Sequence, residues 1–279
     1  MKNQIYPCLW FDGQAKEAAN FYCSIFKNSK ITTETPMVMN FELDGMKFMG
    51  LNGGPVFKIN PSISIFTTFE SIDETNFIWN KLIEGGKVLI PIDKQDWSQR
   101  YGWLEDKFGL TWQISVVNNE GDKAKIMPSL LFTNDKFGQA ETAINFYTSI
   151  FTDSGIDQIF HYPEGSPFDG KVMYSEFNLK HHNFAAMDGP GNHEYAFNEG
   201  LSLVVDCENQ EEIDYYWNKL SSEGGQESQC GWLKDKFGVS WQIIPAMLGE
   251  LMSNPEKAKR VMQEVMKMKK LNIEKLTNA

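Results

Sequence analysis

Apolar positions along the first part of the chain change period in a fixed order. Residues 5–11 (IYPCLWF) form a short apolar run closed by Asp12-Gly13, which predicts a strand. In QAKEAANFYCSIF, which follows, Ala15, Ala18, Ala19, Tyr22 and Phe26 recur at three- and four-residue spacing, the mark of an amphipathic helix. Strand-like runs come next at 31–39, 40–43 and 47–51, and Asp44-Gly45 signals a hairpin between the last two. After a break at NGGP (52–55) the order restarts. A strand at 63–69 leads to a helix at 71–84 with Ile72, Phe77, Trp79 and Leu82, then to short strands at 88–90 and 102–104 and a last one at 110–116. The pattern is that of two β-α-β-β-β units.

The same order is then written again. Trp103 to Ile114 reads WLEDKFGLTWQI and Trp232 to Ile243 reads WLKDKFGVSWQI, identical at nine of twelve positions. NFYCSIF (20–26) answers NFYTSIF (145–151), WNKL recurs at 79–82 and 217–220, and each WNKL is soon followed by Gly-Gly. Phe41-Glu42-Leu43 answers Phe177-Asn178-Leu179, Asn52-Gly53 answers Asp188-Gly189, and Pro7 answers Pro128. Collinear matches of this kind mark an internal duplication whose period is far too long for a solenoid. The expected division is a first domain at 1–122, a second at 123–246 and a helical tail at 247–279, with the polar stretch around 118–125 as linker. The second copy carries extra residues within 152–176 and lacks some ahead of Trp232, so the loops differ where the scaffold is kept. In the repeated phrase Asp106, Lys107, Phe108 and Gly109 read as a hairpin turn, with Gly109 and Gly238 supplying a positive φ.

Bulk properties narrow the field. A net charge of −11 gives no basic footprint for nucleic acid. No apolar run approaches the ~20 residues that span a bilayer, and the N-terminus does not read as a signal peptide. Cys8, Cys23, Cys207 and Cys230 are scattered, without a C-x-x-C pair, so they read as reduced thiols. The expectation is a cytoplasmic protein.

Several motifs carry a resemblance. P-x-L-W-F-D-G-x-A-x-E-A-x-x-F-Y (Pro7 to Tyr22), F-E-L-D-G-x-x-F-M (Phe41 to Met49), L-N-G-G-P (Leu51 to Pro55) and R-Y-G-W-x-x-D-x-F-G-x-x-W-Q (Arg100 to Gln113) resemble the PhnB-like family. That family is often labelled 3-demethylubiquinone-9 3-methyltransferase. It sits in the vicinal-oxygen-chelate superfamily of glyoxalases, bleomycin-resistance proteins and extradiol dioxygenases. The resemblance covers nearly the whole chain, more closely in the first copy. It implies an α+β fold of two tandem glyoxalase-like domains. Each would pair two β-α-β-β-β units into a cupped eight-stranded mixed sheet, and a C-terminal helix would follow.

Superfamily enzymes commonly hold a divalent metal in the cup with His and Glu from the first, fourth, fifth and eighth strands. Those positions fall here at or beside Pro7, Met49 or Gly50, Ser64 and Ser115. In the second copy they fall at Pro128, Ala185 or Ala186, Ser202 and Ile244. None is a histidine or carboxylate, and no metal or other cofactor is expected. The four histidines (His161, His181, His182, His193) all lie in the second copy, so a duplicated metal site is ruled out; a set of His161, His182 and His193 is the one alternative. The methyltransferase label finds no support in a Gly-rich strand-to-helix turn.

What remains is a binding fold rich in aromatics. Strand alternation puts Gln113 and Ser115 on one face and Trp112 and Ile114 on the other, and the resemblance makes the Gln113 face the cavity side. The candidate pocket residues are Trp10, Ser64, Tyr101, Trp103, Gln113, Ser115, Ser202, Trp232 and Gln242, with Trp97 nearby; no catalytic residue is identified. The expected ligand is a small hydrophobic or aromatic molecule, without nucleic acid or membrane partners. The chain would be a monomer that is a pseudo-dimer by duplication, or a homodimer. The competing class is an enzyme, either a methyltransferase as the label states or a metal-dependent glyoxalase- or dioxygenase-like lyase. The tail at 255–276 reads as a helix with Val261, Met262, Val265, Met266 and Met268 as its apolar stripe.

Overall fold

A computed structural model describes residues 4–117 and 123–279; the expected domain boundary at 122/123 falls at the edge of the described residues. The first unit runs β1 (Ile5–Phe11), α1 (Ala15–Ile25), β2 (Lys30–Glu34), β3 (Val38–Leu43) and β4 (Met46–Asn52). The second is β5 (Ile63–Phe69), α2 (Ile72–Leu82), β6 (Lys87–Gln95), β7 (Ser98–Glu105) and β8 (Thr111–Val116). The third comprises β9 (Ile126–Phe132), α3 (Ala140–Ile150), β10 (Gly155–His161), β11 (Val172–Leu179) and β12 (His182–Asp188). The fourth has β13 (Leu201–Cys207), α4 (Gln210–Leu220), β14 (Gln226–Glu227), β15 (Trp232–Lys234) and β16 (Ser240–Pro245). Three tail helices follow: α5 (Leu248–Leu251), α6 (Pro255–Val265) and α7 (Ile273–Thr277). The expected units are all present.

The units combine into two eight-stranded mixed sheets, but not copy by copy. One sheet, here sheet A, has the order β14-β15-β16-β13-β1-β4-β3-β2, and the other, sheet B, runs β10-β11-β12-β9-β5-β8-β7-β6. Each sheet therefore joins one unit of the first copy to one unit of the second. The expectation that each copy closes its own cup is corrected here. The seam of sheet A is the antiparallel pair β1–β13, with Cys8 opposite Ser202, and the seam of sheet B is β5–β9, with Ser64 opposite Ser129. Strands β5 and β13 occupy the same place in their copies, so β1 meets with β13 the same class of partner it would meet in β5.

Helices cover one face of each sheet. Helix α1 buries Ala15, Ala18, Ala19, Tyr22 and Ile25, the stripe read from its spacing. Its N-terminus is capped from the sheet rather than by its own preceding residue: Asn52 Oδ1 accepts from Ala15 N at 3.0 Å. Asp188 Oδ1 does the same for Gly138 N and Ala140 N ahead of α3. Helices α2 and α4 use the local caps Ser71 and Asn209. Between these helix-bearing faces lies one continuous apolar core that includes Trp112, Trp217, Trp241, Phe41 and Phe177.

The repeated phrase is the lock of that core. Asp106 is buried; its Oδ1 accepts from Phe108 N (2.8 Å) and Leu110 N (3.1 Å), and its Oδ2 from the Tyr22 hydroxyl and Trp112 Nε1, both at 2.8 Å. Asp235 repeats this with Phe237 N, Val239 N, the Tyr147 hydroxyl and Trp241 Nε1 at 2.7–3.1 Å. The turn reading is thus true and incomplete. Tyr22 belongs to the unit that enters sheet A and Asp106 to the one that enters sheet B. The carboxylate therefore ties the two units of one copy together across the core, while the sheets tie the copies together. Gly109 (φ 87°) and Gly238 (φ 92°) take the left-handed backbone that closes each turn.

Three local expectations shift. The strand expected over 31–39 stops at Glu34 and the next starts at Val38, with Pro36 in between. Strands expected at 88–90 and 102–104 are one long hairpin, β6–β7, whereas the matching β14 and β15 have two and three residues. The tail is not a single helix over 255–276. Its chain unwinds after Val265 because Met268 O and Lys269 O accept from Cys230 N (2.7 Å) and Gly231 N (2.8 Å) on the run into β15.

Candidate functional site: two unequal cups

The faces turned away from the helices form two cups. Trp112 and Ile114 of β8 lie in the helix-side core, whereas Gln113 and Ser115 are buried on the opposite face, as strand alternation required. The candidate residues divide between the cups. Ser64, Tyr101, Trp103, Gln113 and Ser115 belong to cup B; Trp10, Ser202, Trp232 and Gln242 belong to cup A. Tyr101 and Trp10, from the same copy, thus serve different cups.

At the centre of each cup four strands bring together residues from both copies. In cup A these are Cys8, Met49, Ser202 and Gln242, with Gln242 Nε2 donating to Ser202 Oγ at 2.9 Å. In cup B they are Ser129, Ala185, Ser64 and Gln113. There Gln113 Nε2 donates to Ser64 Oγ (2.8 Å) and Ser129 Oγ (3.3 Å), while its Oε1 accepts from the Tyr101 hydroxyl at 2.9 Å. Ser115 sits beside this network, its hydroxyl 2.9 Å from that of Ser98. The metal positions implied by the resemblance lie at or next to these residues, with Ser115 and Ile244 two places beyond the glutamines, and the donor set there does not fit a divalent cation. The carboxamide nitrogens already point at hydroxyls, and burial pushes the Cys8 thiol up to about 12, so it stays protonated. The histidine alternative does not assemble either. His161 bonds Glu141 at 3.0 Å, His193 is held by Tyr195 and Pro190, and no group of three or more His, Cys, Asp or Glu that could hold a metal exists among the described residues.

Cup A is filled by its own chain. Tyr6, Cys8, Val204 and Ile244 of the sheet pack with Leu251, Val261, Val265, Met268, Leu271 and Leu276 of the tail. Gln210 fastens the far end, its Nε2 donating to Leu271 O (3.1 Å) and its Oε1 accepting from Ile273 N (2.9 Å). Met266, expected in the apolar stripe, is 64% exposed and meets only the edge of the cluster, its Sδ accepting from Cys230 Sγ at 3.6 Å. The short β14–β15 hairpin leaves the cup wall low, and the tail takes the place of the missing ladder on Cys230 and Gly231.

Beside the tail a cavity of about 350 Å³ remains at the mouth of cup A. Trp10, Phe57 and Trp232 wall it, Gln226, Gln229 and Ser240 line it, and Glu199 and Lys234, paired at 3.0 Å, also border it. The Trp10 ring lies 5.0 Å from Phe57 and 5.9 Å from Trp232, both edge to face. Its Nε1 donates to Gly54 O at 2.7 Å. Gly53 has to be glycine, since a Cβ there would sit 2.1 Å from the Trp10 ring. Phe57 and Ser240 escaped the sequence reading. Phe57 lies in the connection between units, and the Ser240 hydroxyl matters only because it is buried without a partner among the described residues.

Cup B holds no tail. Its concave cluster, Phe66, Tyr101, Met127 and Ala185 with Tyr174, consists of strand residues alone. Trp97, half exposed at the tip of the β6–β7 hairpin, packs against Tyr101 with ring centroids 4.6 Å apart and planes inclined by 60°, and the Tyr174 ring lies 5.8 Å from that of Phe66. Burial pushes both tyrosine hydroxyls well above their ordinary range, so they remain donors. The Tyr174 hydroxyl donates to Glu176 Oε1 at 2.9 Å, and Lys125 reaches Glu176 Oε2 from the linker. Trp103 Nε1 is buried without an acceptor among the described residues. No described helix is long and apolar enough to cross a membrane.

Comparison with known proteins agrees with this architecture. The family described as 3-demethylubiquinone-9 3-methyltransferase matches residues 3–115 and again 124–244. A solved PhnB protein from Bacillus cereus is 31% identical over 40% of this chain and 98% of its own, with a TM-score of 0.38. Protein PA1353 from Pseudomonas aeruginosa is 22% identical over 40% of this chain and 96% of its own, with a TM-score of 0.37. A glyoxalase I mutant from Zea mays covers 88% of this chain and 95% of its own at 10% identity and a TM-score of 0.54, which shows a shared fold. No curated protein sequence matches the chain.

Proposed function

The chain belongs to the 3-demethylubiquinone-9 3-methyltransferase, or PhnB-like, family of the glyoxalase superfamily, and we propose that it binds a small aromatic or hydrophobic molecule rather than turning one over. The cavity at the mouth of cup A carries this reading. Its volume suits a compact organic ligand, and Trp10, Phe57 and Trp232 give it flat apolar walls held rigidly by edge-to-face contacts. Ser240 offers one unused hydroxyl to orient a polar substituent. Gln226 and Gln229 can both donate and accept at the rim.

Two features weigh against the enzymatic alternatives. The cup centres carry amide, hydroxyl, thiol and thioether groups already engaged with one another or buried, with no base or nucleophile poised between them. The sheets are mixed and cupped, and the described strand-to-helix connections carry at most one glycine (Gly13 before α1, Gly138 before α3) rather than the Gly-rich turn that cradles a nucleoside in the doubly wound methyltransferases. The family label is therefore treated as a name rather than a reaction.

Titration with a soluble aromatic probe such as 2-naphthol, followed by tryptophan fluorescence, tests the proposal. Saturable quenching is expected, weakened about tenfold or more in Trp232→Ala. Binding untouched by that change, or a stoichiometric divalent metal in the purified protein, would overturn it.

A further inference from the structure

We propose that cup B is a second, separate site, and that it takes an organic cation: a small molecule bearing a substituted ammonium or similar group. The proposal starts from what the cup presents. Phe66, Tyr101 and Tyr174 form an aromatic cluster on the concave face, extended outward by Trp97, whose ring is tilted against that of Tyr101. Glu176 stands next to this cluster on the same face of β11, since residues two apart on a strand share a side. The Tyr174 hydroxyl joins the aromatic cluster to the carboxylate. Aromatic faces with one carboxylate at their edge are the chemistry that recognises a desolvated cation: the rings attract its charge and the carboxylate neutralises it.

The chain itself indicates the occupant. The ammonium of Lys125 already rests on Glu176, delivered from the linker between the copies. Lys125 keeps 42% of its side chain exposed, whereas Glu176 keeps 14%. The carboxylate thus belongs to the cup, and the lysine reaches it from solvent. An ion pair held by so exposed a lysine is weak, so a ligand cation can replace it without leaving Glu176 unpaired. Cup A shows the same grouping made permanent. There Lys47 sits 3.8 Å over the Tyr6 ring and bonds Asp206 at 3.1 Å, and Tyr6 donates to Asp206 at 2.9 Å. Lys47 comes from β4 and Asp206 from β13, so that cation is built into the sheet. In cup B the matching strand positions are Asn183 and Thr68, and the charge pair has moved to Glu176 and a linker lysine.

The test is isothermal titration of the full chain with benzyltrimethylammonium and, in parallel, with benzyl alcohol, which keeps the ring and lacks the charge. The cation is expected to bind at least tenfold more tightly. Glu176→Gln should abolish that preference and Lys125→Met should strengthen cation binding several-fold, each measured in a Trp232→Ala background so that the aromatic cavity of cup A adds nothing to either probe. Circular dichroism establishes that each variant is folded; should Glu176→Gln misfold, Lys125→Met carries the test alone. Equal affinity for the two probes, no saturable binding of the cation, or a preference indifferent to Glu176 and Lys125 would overturn the proposal. Because the cup A site is read through Trp232 and this one through Glu176, either can fail without the other.

Discussion

Cups A and B are made from equivalent strands joined at equivalent seams, yet one is packed with the chain's own tail and the other is not. At the seam, Cys8 faces Ser202 in cup A and Ser129 faces Ser64 in cup B, and each is crossed by a glutamine from the repeated WQI. What differs lies at the edges. The β6–β7 hairpin is long and carries Trp97 over cup B, whereas β14–β15 is a stub whose backbone is completed by residues 268 and 269 of the tail. Duplication kept the polar floor and the Tyr–Asp locks, and divergence acted on the walls. A wall shortened by ten residues, counted from Gly86 to Trp103 against Gly225 to Trp232, turned one cup into an internal core with a small cavity at its mouth.

The comparison can be broken most severely by removing the tail. Deletion of residues 248–279 should uncover Tyr6, Cys8, Val204 and Ile244 at a cost on the order of 10 kcal/mol, comparable to the whole stability of a domain. Thiol labelling mapped by mass spectrometry should then find Cys8 reactive, where the full chain protects it. On a smaller scale, Leu271→Ala should cost roughly 2–5 kcal/mol in urea denaturation. The locks, by contrast, should behave alike in both copies. Asp106→Asn and Asp235→Asn each leave two of four donors facing an amide NH₂, and each should lose about 2–4 kcal/mol. A large inequality between the two would show that the copies do not share a core.

Proton linkage sharpens the same point. Burial, partly offset by the Trp, Tyr and backbone donors, raises both carboxyls from the ordinary 3.8 to about 6. The unfolded chain gives up these protons first, so between those values the folded state binds more of them. The stability they contribute is therefore full below about pH 4, falls as pH rises through about 6, and is level above. The lead of the wild type over either Asn variant should shrink by about 2 kcal/mol between about pH 4 and pH 7, as read from urea midpoints. The smallest effect is expected on the open side: Phe160→Ala, half exposed on β10 beside cup B, should change stability by less than about 0.5 kcal/mol.

Much of this was legible from residue order. The four units and the helix stripe of α1 follow from periodicity and repetition; alternation separates Gln113 from Trp112, and the family resemblance supplied which of the two faces is inward. The crossing of units between sheets does not. Strands β5 and β13 carry the same serine at the seam, Ser64 and Ser202, so β1 reads as a fitting partner for either. The choice rests on how the connection at 53–62 runs in space, which no local pattern records. The repeated Asp was read as a turn residue because its four donors include a tyrosine more than eighty positions away. Val261 and Val265 were visible as an apolar stripe, but a stripe does not say which surface it covers. Trp10 and Trp232, named from separate copies, meet only because the units cross.

The most direct test of the account is a methyl-labelled nuclear Overhauser spectrum of the full chain. It predicts cross-peaks from Val265 and Leu271 in the tail to Val204 and Ile244 on sheet A, while Met127 and Ala185 on sheet B show contacts to strand residues alone. A spectrum in which Val204 and Ile244 have no partner in residues 248–279, or in which Met127 and Ala185 do, would contradict it.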